Sequence, residues 1–195
     1  MPIYRRPPPR RPFRRRFPPG RPPRPAARQA LLRLRKAHAL MAQGDFEQAA
    51  HILDGLANAA AKRGIDRAPN LALQAARAWF EAGKTDRGME MTRMAMQYMH
   101  RVGQLQKLHQ VSGRILSELR SRGLTQEAAA IEAEIKEMLA GVDVSSFRTM
   151  QPARTAHLPP QCPQCGGNVR SDEVEWIDGV SATCNYCGSV LVQES

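Results

Sequence analysis

Long apolar runs are missing from this chain of 195 residues. No stretch approaches the roughly 18 uninterrupted apolar residues of a membrane span, so integral membrane association is not expected. The charged N-terminus has no apolar segment behind it, which argues against a secretory signal. Aromatic residues make up only 5%, so a core must be built from Leu, Ala, Met and Ile. Between residues 29 and 140 proline occurs once, at Pro69, and no acidic residue precedes Asp45. There is no phosphate-binding loop, no nucleophile motif and no carboxylate pair at catalytic spacing. An enzyme is therefore not expected. Cysteine occurs four times, always between 162 and 187. A cytoplasmic location is expected, where thiols stay reduced.

What is abundant is unevenly placed. Residues 1–28 hold ten arginines and ten prolines. The arginines are Arg5, Arg6, Arg10, Arg11, Arg14, Arg15, Arg16, Arg21, Arg24 and Arg28. The formal charge of the chain is +11, yet beyond residue 28 there are 19 basic and 18 acidic residues. The excess sits in the arm, and the body is nearly neutral. Proline removes backbone donors and like charges repel, so residues 1–28 read as a disordered arm. Four readings of it stay open. Arginine binds RNA or DNA phosphates, which makes these ten residues candidate polyanion contacts. The arm also suits an anionic membrane surface, with Phe13 and Phe17 inserted. PPPRRP suits a polyproline-binding groove. A merely solubilising tail is the fourth.

Residues 29–140 are rich in Ala, Leu, Met, Glu, Gln, Lys and Arg, with apolar residues at helical spacing. The stretch repeats: AQGDFEQAA (42–50), EAGKTDRGM (81–89) and SRGLTQEAA (121–129). Gly44, Gly83 and Gly123 lie 39 and 40 residues apart. Each follows a helical run and precedes Asp45, Thr85 or Thr125, taken as the N-cap of the next helix. Six helices are expected, at 27–43, 46–63, 69–82, 86–102, 104–122 and 125–140, as three helical hairpins.

This stretch resembles tetratricopeptide (TPR) repeats. The resemblance is carried by Gly44, Asp45, Phe46 and Ala49, and by Ala37 and Ala76 seven residues before Gly44 and Gly83. It departs in period, since the family repeats every 34 or so. Gly88 replaces a small Ala in the second repeat, and Leu116 stands where a small residue is expected in the third. The resemblance implies a helical array that binds a protein partner. A plain array of helical hairpins remains open. Met89, Met91, Met94, Met96 and Met99 read as core filling, or as an adaptable partner groove.

Residues 141–160 read as a linker, with Phe147 and Met150 able to dock on the helices. From 161 on, the cysteines follow C-x2-C-x18-C-x2-C, as Cys162, Cys165, Cys184 and Cys187, with Gly166 and Gly188 behind each pair. Two such knuckles bring four sulfurs into a tetrahedron, which suits one structural Zn2+ and leaves no open position. Asp178-Gly179 signals a hairpin between strands, and residues 189–193 supply a third strand. The segment resembles the zinc ribbon family. A disulfide framework, a rubredoxin-like iron site and a redox pair fit less well. His157 is a ligand only if a cysteine is displaced. From 161 on, five acids face one base, Arg170, so this segment is not expected to bind phosphate. His38, His51, His100 and His109 are scattered and read as surface or satisfied helix residues.

The fold class expected is mainly α, with three TPR-like hairpins, a small β zinc ribbon and a disordered arm. The domains expected are 1–28, 29–140, a linker at 141–160, and 161–195. The function expected is that of a non-enzymatic bacterial adaptor for a protein partner, with nucleic-acid binding through the arm as the competing class.

Overall fold

The computed structural model describes residues 25–147, 157–171 and 174–192. The arm arginines from Arg5 to Arg24, the expected insertion of Phe13 and Phe17, and Met150 lie outside the described residues. The chain opens with six helices: α1 (Pro25–Gln43), α2 (Phe46–Lys62), α3 (Ala68–Glu81), α4 (Thr85–Arg101), α5 (Leu105–Ser121) and α6 (Thr125–Met138). Each boundary falls within two residues of the expected one. Proline is tolerated in a first helical turn, so α1 begins at Pro25. Arg28, expected in the arm, is an exposed residue of that helix. No helix among the described residues is long and apolar enough to cross a membrane.

Every helix-to-helix junction contains a glycine with positive φ: Gly44, Gly64, Gly83, Gly103 and Gly123. The bonding at Gly83 shows why. Its N–H donates to Phe80 O, and the N–H of Lys84 donates to Trp79 O. That pair of bonds closes α3, and it needs a left-handed residue between them. Lys84 then starts α4, since its carbonyl accepts from the Gly88 N–H. One residue thus ends one helix and caps the next. Thr85 and Thr125 are consequently the first helical residues, not the N-caps expected of them. Asp45 does occupy the N-cap position, but without a side-chain capping bond.

The helices pair as antiparallel hairpins, α1/α2, α3/α4 and α5/α6. With so few aromatics, the core is closed by small residues that let helices approach. Ala37, Ala49, Ala57, Ala72, Ala75 and Ala95 are fully buried. Gly88 belongs to the same device: the Phe80 ring lies where its Cβ would be. The methionines of α4 fill the interior, with Met89, Met91, Met96 and Met99 buried and Met94 partly so. They form core rather than an open groove. Ion pairs tie the second hairpin to the third: Arg77–Glu118 at 3.0 Å, Arg93–Glu134 at 2.8 Å and Arg122–Glu81 at 2.7 Å. Partly exposed pairs of this kind are worth about 0–1 kcal/mol each. They favour one register more than they add stability.

A short 3-10 turn (Val144–Phe147) follows α6 and sets Phe147 beside His109, ring centroids 5.9 Å apart. Beyond it, β1 (Glu175–Trp176), β2 (Ser181–Thr183) and β3 (Val190–Val192) make an antiparallel sheet in that order. The register sets Ala182 opposite both Trp176 and Leu191, and Ala182 and Leu191 are buried. The β1–β2 turn differs from a two-residue Asp-Gly turn, because neither Asp178 nor Gly179 has positive φ. Instead the Asp178 carboxylate accepts from the Val180 and Ser181 amides at 2.9 and 2.7 Å and from the Ser181 hydroxyl at 2.8 Å. Those bonds, led by the one from Val180, hold its carboxyl below the usual value.

Candidate metal centre

Each cysteine pair sits on a tight turn whose geometry comes from the glycine behind it. Gly166, at φ 73°, donates its N–H to Cys162 O, and Gly188, at φ 79°, donates to Cys184 O. The return strands close the knuckles, with Cys162 N–H bonded to Gly167 O and Cys184 N–H to Ser189 O, both at 2.8 Å. Backbone rigidity therefore orients all four side chains.

The four sulfurs lie within 4.8 Å of one another, and such a group can hold a metal ion. Across the knuckles, Cys162 Sγ is 3.7 Å from Cys187 Sγ, and Cys165 Sγ is 3.8 Å from Cys184 Sγ. A disulfide would need about 2.05 Å, so these are free thiols. Cys162, Cys165 and Cys184 are buried and Cys187 is partly exposed. The group contains no histidine, and His157 is exposed outside it.

Electrostatics agree with a cation-binding role. Hydrogen bonding to Cys184 and Cys187, together with burial, pushes the Cys165 thiol far up. The bond from Cys165 pulls Cys184 down, but Cys187 and burial outweigh it, and Cys184 is pushed up to about 11. Cys187 is held far below its ordinary value by bonds from Cys165 and Cys184, with help from Ser189. Thiols this crowded cannot all ionise unless a cation shares them. The Ser189 hydroxyl is in reach, its Oγ 3.1 Å from Cys187 Sγ and 3.2 Å from Cys162 Sγ.

The cysteine segment does not stand apart from the helices. Cys162, Cys165, Cys184 and Leu191 belong to the same apolar core as Leu34, Ala37 and Leu71. On the first knuckle, the Cys165 carbonyl can only accept, so His38 Nδ1 carries the hydrogen of their 2.7 Å bond. His38 Nε2 is then free to accept from the Gln74 amide at 2.8 Å. Arg35 Nε donates to Gln164 O. The His38 ring meets Tyr186 edge-on at 5.5 Å. On the second knuckle, Asn70 donates to Asn185 O at 3.0 Å, and the Arg67 guanidinium occupies the space a Gly188 side chain would need.

Sequence reasoning placed all four cysteines and both glycines behind them. It read His38 as a surface or satisfied helix residue; His38 is buried and satisfied, and that its partner is the knuckle was missed. Ser189, Arg35, Arg67, Asn70 and Gln74 were missed as well. No local pattern marks Arg35, Arg67, Asn70 and Gln74: the first three meet knuckle residues more than a hundred positions away and Gln74 meets His38 across 36, whereas the Ser189 hydroxyl, two residues past Cys187, was a readable signal. His51, His100 and His109 are exposed on helices away from the centre. Comparison of the chain with family models, curated proteins and solved structures finds no match.

Proposed function

We propose that this protein is a non-enzymatic adaptor. TPR-like helices bind a protein partner, a structural zinc ribbon braces them, and a basic arm adds polyanion affinity. The observation that carries the reading is the seating of both cysteine knuckles on α1 and α3. A closed four-thiolate centre offers no position for substrate or activated water, so its role is to hold shape. Zn2+ fits the donor set: a tetrahedron with Zn–S of about 2.3 Å has sulfurs about 3.8 Å apart. The cross-knuckle separations of 3.7 and 3.8 Å match it. A cytoplasmic setting keeps such thiols reduced.

The arm favours a second reading, in which the chain binds RNA or DNA and the helices serve as spacer. Ten arginines against no acid in residues 1–28 support it. Capture with immobilised full-length protein, and with a chain lacking residues 1–24, separates the two. Each is run with and without nuclease. A protein partner retained after nuclease and without the arm is the expected result. Capture that disappears with either treatment would give the nucleic-acid reading precedence.

A further inference from the structure

Seating the ribbon on α1 and α3 leaves a cleft of about 620 Å3 between α3, α5 and the ribbon. That is the size range of ligand sites, roughly 300–1,000 Å3. Its helical walls carry a repeated pattern. Arg67, Asn70 and Gln74 recur forty residues later as Lys107, Gln110 and Arg114, and all six line the cleft. The two sides thus carry similar rows, with the Asn70 and Gln74 amides already bonded to Asn185 O and His38 Nε2. The third wall comes from the second knuckle and β1, through Asn185, Tyr186 and Glu175.

Two features point to a ligand. Gln104 lines the cleft, and its buried Oε1 has no hydrogen-bond partner among the described residues. A buried acceptor left unpaired costs about 1–3 kcal/mol, which a side-chain shift that turns it to a ligand donor would recover. Lys107 makes no ion pair within 4 Å among the described residues. Its nearest charges are Glu175, Arg67 and Asp66, and burial holds its pKa below the ordinary value.

The chemistry selects among polymers. A peptide backbone supplies an N–H donor at every residue except proline, which Gln104 requires. RNA offers donors too, in its 2′-hydroxyls and base N–H groups, so the discrimination rests on charge. The cleft also includes Asp66, Glu118 and Glu175, which repel a continuous line of phosphates. A chain with separated negative charges and neutral stretches between them fits alternating cations and carboxylates.

We propose that this cleft binds an extended acidic segment of a protein, with Gln104 and Gln110 meeting its backbone and Arg67, Lys107 and Arg114 meeting its carboxylates. The inference rests on the adaptor reading and names its contact surface. Because one wall is the ribbon, binding depends on the cysteine centre remaining folded.

Fluorescence anisotropy on full-length, metal-loaded protein tests it. The probes are synthetic alanine–serine peptides bearing two glutamates at graded separations, their neutral and lysine counterparts, and an oligouridylate. Acidic peptides should bind best. Lys107→Gln and, separately, Gln104→Ala should each weaken them by about tenfold, as loss of a desolvated contact does. The arm is present in every protein compared, so the difference reads the cleft alone. Circular dichroism establishes that both variants fold. Acidic peptides that bind both variants as tightly as the parent overturn the inference. So does an oligouridylate affinity that falls as far as the peptide affinity, or failure of every acidic peptide to bind. The capture experiment above judges the adaptor reading separately, since a partner retained there while the peptides fail would place contact on another surface.

Discussion

A methyl group on Gly167 would lie 2.6 Å from Cε1 of His38 and 2.8 Å from Tyr186 Cδ2. These residues come from opposite ends of the chain, and the contact seats the first knuckle on α1. Gly167→Ala should therefore cost about 1–3 kcal/mol, as overpacking does. The loss should be concentrated between the ribbon and α1. Hydrogen exchange checks it: amides of residues 162–169 should lose protection while α5 and α6 keep theirs. Unchanged protection would mean that the seat is looser than the contact implies.

Gly113 offers the opposite case. It lies within α5, is exposed, and has nothing within 4 Å of where a Cβ would stand. Its φ is not positive. Gly113→Ala should stabilise the protein by about 0.5–1 kcal/mol through lower backbone entropy in the unfolded chain. A denaturant midpoint that fails to rise would contradict this.

Gly88 and Phe80 form a pair in the interior. Gly88→Ala pushes a methyl into the Phe80 ring and should destabilise by about 1–3 kcal/mol. Adding Phe80→Leu should recover part of that loss, since the smaller side chain makes room. A double variant no better than the sum of the two singles would show that the clash is not the cause.

Purified protein should contain one zinc per chain by elemental analysis, and Cys184→Ser should lose it. Such metal binding is worth on the order of 10 kcal/mol to a small module, so chelation should unfold the ribbon. The helices should survive but melt earlier, because His38, Arg35 and Asn70 lose their partners. The midpoint should fall by about 5 °C per kcal/mol of lost docking. A helical melt indifferent to chelator would show that the ribbon lends the helices nothing.

Lys107 yields a pH dependence. Burial, the largest cause, lowers its folded pKa below 10.5. Between the folded and unfolded values the unfolded chain binds more protons, so stability rises with pH in the window just below 10.5. Lys107→Met should flatten that rise and raise the melting temperature at neutral pH. A steeper alkaline rise in the variant would reverse the assignment.

Some of this molecule is determined locally. Left-handed glycines at Gly44, Gly83 and Gly123, apolar residues at helical spacing and the two Cys-x2-Cys knuckles each act over a few residues, so six helices, the strands and the clustering of four cysteines were legible in the sequence. Even the errors were local: Thr85 and Thr125 missed the capping position by one residue because a single residue serves two helices there. Other features exist only after folding. His38 and Cys165 are 127 residues apart, and no short-range rule ties a histidine on α1 to a carbonyl of a knuckle. Gly167 looks like any turn glycine until the His38 ring fills the space above it. The cleft between α3, α5 and the ribbon is likewise a product of docking. Shape complementarity between distant surfaces decides these features, and composition and spacing do not encode it in any one segment.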